Sequence, residues 1–164
     1  MKFILAILLL VFCQSCYKTE HKLNIEFVEK YGKDDFSIFK NKSLFVRGFD
    51  NNNGTIIFIS DRKQEKKCSA PYVIIIDNKT KKIKSTSRNL LESTCVIDSV
   101  LFQKLSLLFY EYNINYLSVD SNSNVSIKPL FFEGKSNLIK FSNTQNLTTK
   151  EYKNIKNQWY EKTE

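Results

Sequence analysis

The sequence predicts an α+β domain, a mainly antiparallel sheet built from hairpins and packed by one central amphipathic helix and a C-terminal helix. Two observations predict this class. Three pairs of β-rich runs flank turn sequences, and one helical pattern separates the second pair from the third. Strands and helices do not alternate regularly, which argues against a Rossmann or barrel fold. With 42% hydrophobic and 13% aromatic residues, the chain can form one core.

The hairpins are predicted from their turns. Residues 42–61 place two β-rich runs around Asn53-Gly54, a pair that readily takes the positive φ values of a tight turn. Residues 70–87 form a second pair turning near Asp77–Thr80, and the unbroken apolar run Val73–Ile76 predicts a strand covered on both faces. Residues 115–129 form a third pair, and residues 137–142 supply a further strand.

Three helices are predicted from periodicity and caps. Residues 99–113 follow an N-cap at Asp98, with Leu101, Leu105, Leu108 and Tyr112 on one face. Residues 23–32 favour a short helix ending at Gly32, although Leu23, Ile25 and Phe27 also alternate as in a strand. Near the chain end, Thr148–Glu151 matches a capping box, and Tyr152, Ile155 and Trp159 share a helical face.

The first 16 residues have the pattern of an export signal. Lys2 precedes an apolar run, Phe3–Phe12, that is about half the roughly 20 residues needed to span a bilayer. Signal peptidases need a small residue before the cut, which Ser15 before Cys16 provides and Phe12 before Cys13 does not. A redox Cys-x-x-Cys would instead require a folded, partly exposed site, so we interpret this pair as part of the signal.

Residues 1–16 resemble a bacterial lipoprotein signal in which Leu10–Cys16 is a relaxed lipobox; Cys13 stands where leucine is usual. The resemblance implies a signal peptide over 1–15, a diacylglycerol on Cys16, a tether to residue 22 and a single domain over 23–164. Plain secretion with the same cut is the alternative. The membrane is then a partner through the N-terminal lipid.

The composition also resembles that of small Bacteroidota lipoproteins, since Lys, Asn, Ile, Phe and Tyr abound. Tyr17 replaces the Asp that retains enterobacterial lipoproteins at the inner membrane, and Glu20 is the one acidic residue in the tether. By resemblance, we expect an outer-membrane lipoprotein facing the periplasm, with the cell surface as the alternative. The net charge of +8 does not indicate nucleic-acid binding, because only three of the basic residues are arginines.

Besides Cys16, the mature chain holds only Cys68 and Cys95. An even pair in an oxidising envelope predicts a disulfide, which would stabilise the fold by about 3–4 kcal/mol on the chain-entropy description. Two buried, inert thiols are the alternative. Neither cysteine has the neighbours of a metal site.

The sequence predicts no catalytic, metal or cofactor site. The single histidine, His21, lies in the predicted tether, where nothing would orient it for catalysis. Scattered glycines exclude a phosphate loop, and Asp34-Asp35 is more typical of a solvated turn than of an acid/base pair.

Basic residues on both sides of Cys68 could form one binding face for anionic headgroups or an acidic protein. The alternative is a solvated loop and an edge strand protected by lysines. The residues concerned are Arg62, Lys63, Lys66, Lys67, Lys79, Lys81, Lys82 and Lys84.

These observations predict a non-enzymatic, membrane-anchored envelope lipoprotein whose domain is a binding module, with its specific role unknown. The alternative is a periplasmic immunity protein or inhibitor that neutralises a secreted toxin or hydrolase. Such proteins are similarly small and lipid-anchored.

We expect Cys16→Ala to abolish labelling by a palmitate analogue in growing cells, because it removes the thiol that receives the lipid. Cys13→Ala serves as the matched control and should keep the label. Loss of label in Cys13→Ala with retention in Cys16→Ala would contradict the assignment.

Overall fold

The structure is a computed structural model that describes residues 21–62, 70–88, 98–129, 138–143 and 151–162. The predicted signal peptide, Cys16, both cysteines of the predicted disulfide, and Lys63, Lys66 and Lys67 lie outside these residues. Within the described ranges, no helix has the length and apolar character needed to span a membrane.

The described residues form an α+β domain with two helices, one 3-10 turn and nine strands. Helix α1 covers residues 21–31 of the described chain, and α2 covers Ser99–Glu111; the 3-10 turn is Ser37–Phe39. The strands are β1 Lys42–Phe49, β2 Gly54–Asp61, β3 Tyr72–Asp77, β4 Ile83–Arg88, β5 Ile114–Val119, β6 Val125–Pro129, β7 Leu138–Lys140, β8 Tyr152–Lys156 and β9 Trp159–Lys162.

The strands form one sheet in the order β4-β3-β2-β1-β5-β6-β7-β9-β8, and all neighbouring strands are antiparallel. Strands β1–β4 form one meander, and β5–β9 form a second group. The ladder that joins them pairs Lys42–Phe45 of β1 with Tyr116–Val119 of β5. The sheet therefore consists of two local halves joined by a short ladder.

The helices lie on one face of the sheet and enclose the core. Strand positions that face them are fully buried, including Leu44, Ile59, Ile74 and Leu117. Helix α2 packs near β3, where the rings of Phe102 and Tyr72 meet edge to face at 5.7 Å. The opposite face carries half-buried side chains.

Trp159 of β9 is the centre of an aromatic cluster that holds α1 on the sheet. Its side chain is 1% exposed, and its ring meets Phe27 of α1 and Phe36, each with centroids 5.9 Å apart. Such edge contacts add about 0.5–1.5 kcal/mol each beyond area burial. The indole N–H donates to the carbonyl of Gly32 at 3.1 Å. A side chain at Gly32 would collide with the Val28 carbonyl, so glycine is required there.

The three predicted hairpins and the central helix are confirmed. Asn53 takes the positive φ of 61° expected at its turn, and the Asp98 side chain accepts a hydrogen bond from the Leu101 amide at 2.8 Å. The buried face of α2 is carried by Phe102, Leu105 and Phe109, with Ser106 between them, rather than by every predicted leucine. In β3, only alternate residues are fully buried, so the prediction of two covered faces was too strong.

The N-terminal helix is confirmed, whereas the predicted C-terminal helix is wrong. The segment forms the hairpin β8–β9, which turns at Asn157 with φ 53°. Of the proposed capping box, residues 148–150 lie outside the described chain. A bulge between Asn154 and Lys156 changes the strand register. The spacing of three and four in Tyr152, Ile155 and Trp159 therefore also fits a hairpin that buries Trp159.

We expect Trp159→Phe to lower the free energy of unfolding by about 1–3 kcal/mol, because it removes a hydrogen bond and leaves a small cavity. Urea unfolding followed by circular dichroism measures this change. The exposed-strand variant Lys153→Gln is the control and should fall within about 0.5 kcal/mol of wild type. Equal stability of Trp159→Phe and wild type would contradict the central role of the indole.

Candidate functional site

A cleft opens on the helix-covered face where the two halves of the sheet diverge. The β1–β5 ladder ends at the Phe45–Tyr116 pair, and the next ladder position of β5, Ile114, pairs with β6 alone. Strand β1 bulges between Val46 and Gly48 at the same level. The C-terminal half of α2 lies across the resulting gap, and together these elements enclose about 580 Å³.

The interior of the cleft is apolar. Val46 and Ile57 contribute from the sheet, Leu107 and Phe109 from α2, and Ile114 from the start of β5. Phe49, 60% exposed, stands among the lining residues at the open end of β1. The volume lies within the range of about 300–1,000 Å³ typical of small-molecule sites.

One edge of the cleft is a chain of polar groups that bond to each other. The Asn78 side-chain oxygen accepts from the Thr55 hydroxyl at 2.6 Å and from the Tyr110 hydroxyl at 3.1 Å. Lys81 Nζ then donates to the Tyr110 oxygen at 2.9 Å and lies 5.0 Å from the centroid of its ring. The network fixes the β3–β4 turn against α2.

The β3–β4 turn places Lys81 at this edge. Lys81 has φ 60°, and its amide donates to the Asp77 carbonyl at 2.8 Å. The Asp77 carboxylate accepts from the amides of Lys79 and Thr80 and from the Thr80 hydroxyl. The hydrogen bond from the Thr80 amide is the main cause of a lowered pKa of Asp77, and the hydrogen bond from the Thr80 hydroxyl is the next. The carboxylate therefore stays ionised and keeps the turn closed at neutral pH.

Arg62 lies apart from the other described members of the predicted basic face, which are lysines in and directly after the β3–β4 turn. Arg62 follows the end of β2 and donates to the Ser43 hydroxyl at 3.1 Å. The β3–β4 turn, which contains Lys79, Lys81 and Lys82, lies beside the first residue of β2, whereas Arg62 follows its last residue. The eight residues of β2 therefore separate Arg62 from this turn by about 26 Å. Lys84 pairs with Asp50 at 2.8 Å. Of the five described members, Lys81 is the one that lines the cleft.

A second polar cluster holds the start of the described chain. His21 and Lys22 lie in α1 rather than in a tether, and His21 Nδ1 is 2.7 Å from the buried carboxylate of Glu161. The Asn24 amide donates to the other Glu161 oxygen at 2.8 Å. The prediction that His21 lacks an orienting partner is therefore wrong. The cluster has a structural role, because it joins α1 to β9 and does not line the cleft.

The two adjacent acids at 34 and 35 do not form a pair. Asp35 accepts from the Ser37 amide and hydroxyl, both at 2.8 Å, and these bonds lower its pKa. Asp34 instead faces Tyr112. Burial is the main cause of the raised pKa of Tyr112, and the negative charge of Asp34 is the second cause. Across the described ranges, no three His, Cys, Asp or Glu side chains converge as a metal site would require.

Sequence reasoning did not identify the cleft. Its residues come from three distant parts of the chain, around residues 46–57, 78–81 and 107–114. Val46, Ile57 and Leu107 look like ordinary core positions in the sequence. The one available signal was Phe49, an aromatic residue directly before a polar turn.

Comparisons with known proteins do not assign this fold or site. No protein-family model matches the chain, and no curated protein or solved structure shows significant similarity to it.

We expect Glu161→Leu to lower the free energy of unfolding by about 2–4 kcal/mol, because His21 and the Asn24 amide each lose an acceptor in a buried setting. Glu161→Gln should cost less, since its oxygen can still accept from Asn24. Urea unfolding followed by Trp159 fluorescence measures both variants. The exposed Glu151 provides the control: Glu151→Leu should change stability by less than about 0.5 kcal/mol. Equal effects at positions 151 and 161 would refute the structural role.

Proposed function

We propose that this protein is a non-enzymatic envelope lipoprotein, anchored through a lipid on Cys16, whose domain binds a small ligand in the cleft between α2 and the β1–β5 gap. The outer membrane, with the domain in the periplasm, is the proposed location. The cleft is the observation that carries the binding role. It combines an apolar interior with a polar edge already fixed by hydrogen bonds.

The composition of the cleft favours binding over catalysis. Its polar residues are Thr55, Asn78, Lys81, Tyr110, Glu111 and Asn113. Catalysis of acyl or phosphoryl transfer usually requires a nucleophile with an adjacent base. Here the Thr55 and Tyr110 hydroxyls both donate to an amide oxygen, which is not a base. The arrangement orients groups without activating them.

The position of the cleft is compatible with anchoring at the N-terminus. The first described residue, His21, is held at β9, and the cleft lies beside β1. Four strand spacings separate β9 from β1, which is about 19 Å at about 4.8 Å per spacing. A membrane tether leaving α1 therefore starts well away from the cleft.

We expect the mature lipoprotein in nanodiscs to bind 1-naphthaleneethanol, a neutral apolar probe, in this cleft. Saturation-transfer NMR, with empty nanodiscs as the blank, measures the binding. Leu107→Trp should abolish the protein-dependent signal, because the indole fills the space between α2 and the sheet.

The matched control is Val100→Trp, which makes the same substitution at a 78% exposed position of the same helix. This variant should bind as wild type does. Absence of binding to the wild type, or equal binding by both tryptophan variants, would overturn the proposed binding site.

A further inference from the structure

We propose that the ligand of the cleft is a small amphipathic monocarboxylate, with its apolar body between α2 and the β1–β5 gap and its carboxylate on the Lys81 ammonium. This inference rests on the proposed binding role of the cleft. It adds the chemical class of the ligand, which follows from which groups donate and which accept hydrogen bonds at the polar edge.

The hydrogen bonds at the polar edge run in one direction. The Asn78 oxygen accepts from both Thr55 and Tyr110, so both hydroxyl protons are committed. The Tyr110 oxygen then accepts from Lys81. An ammonium group has three N–H donors. Lys81 uses one of them within the described chain, so the edge offers N–H donors and a positive charge to a ligand.

The ammonium group is held in place before any ligand binds. A free lysine side chain loses up to about 2 kcal/mol of conformational entropy when it is fixed. Here the turn fixes the backbone of Lys81, and the Tyr110 hydroxyl and ring hold the end of the side chain. A ligand carboxylate therefore meets a cation that has already been ordered.

The charge at the cleft favours one negative group rather than a multiply charged phosphate. Within the part of the chain that the structure describes, Lys81 and Glu111 are the charged residues that line the cleft. One ammonium supplies one positive charge, which balances a single carboxylate but leaves a phosphate dianion only half neutralised. Glu111 repels an anion near its own side chain, so the carboxylate is directed to the Lys81 edge.

The apolar interior of the cleft determines the polarity of the ligand body, which is the part away from the carboxylate. Val46, Ile57, Leu107 and Phe109 offer no hydrogen-bonding side chains, so a polar body would lose its contacts with water without replacement. The matching compound has a hydrophobic body and its only charge at one end.

Three probes with the same ring system separate the possible head groups: 1-naphthaleneacetate, 1-naphthaleneethanol and 1-naphthaleneethylamine. The mature lipoprotein in nanodiscs is titrated with each at pH 7, and binding is measured by saturation-transfer NMR. We expect the carboxylate to bind at least tenfold more tightly than the alcohol, and the amine to bind most weakly. Added salt should weaken only the carboxylate, because its gain is electrostatic.

Lys81→Met should remove the preference for the carboxylate and leave the alcohol bound, since methionine keeps the length of the side chain and loses the charge. Lys79→Met, in the same turn but outside the cleft lining, is the matched control and should retain the preference. Trp159 fluorescence under urea checks that each variant is folded. Tyr110→Phe should reduce the preference, because Lys81 loses the oxygen that positions it.

Equal binding of the carboxylate and the alcohol to the wild type would overturn this inference and leave the proposed binding role intact. Tightest binding of the amine, or an unchanged preference in Lys81→Met, would also overturn it. Failure of all three probes to bind would overturn both proposals.

Discussion

The burial of Trp159 is the interaction on which the rest of the domain depends. Its ring joins a strand near the end of the chain to helix α1 near the beginning of the described residues, with Phe27 and Phe36 packed against it. The Gly32 carbonyl accepts a hydrogen bond from the indole N–H, and Lys140 Nζ lies over the ring, 5.6 Å from its centroid. Without this contact, α1 would keep its hydrogen bonds to Glu161 and its ring contacts with Tyr112, but it would lose the centre of its packing on the sheet. The core under α1 would then be open to water.

The cleft follows from how the second helix crosses the sheet. The chain leaves β4 at one edge, passes through α2 and enters β5 in the middle. Strand β1 pairs with β2 on one side and with β5 on the other, and the pairing with β5 covers only four residues. The bulge after Val46 turns the end of β1 away, and α2 covers the opening. A ligand site thus arises from a connection between two sheet halves, as in many proteins whose pockets lie between structural units.

The elements that the sequence predicts correctly are those defined by local chemistry. Asp50, Asp77 and Asp120 each begin a hairpin loop and accept hydrogen bonds from amides two to four residues later. Asp98 caps α2 in the same way. Tertiary contacts decide the elements that it does not predict. Trp159 can be buried by a helix or by a bulged hairpin, and the hairpin additionally pairs with the neighbouring strand β7. The cleft depends on three distant segments and has no local signal.

The ladder between β1 and β5 is shorter than the ladders on either side of it, with four residue pairs against seven between β1 and β2 and five between β5 and β6. Local opening at such a ladder breaks fewer backbone hydrogen bonds than opening at the longer ladders beside it. The two halves of the sheet can shear or tilt about this ladder while the strands within each half stay paired. Because α2 spans the gap beside this ladder, small changes in its position alter the width of the opening beneath it. The width of the opening is therefore coupled to the position of α2 and to the spacing of the two sheet halves, and collective shifts of such elements are slower than side-chain rotation.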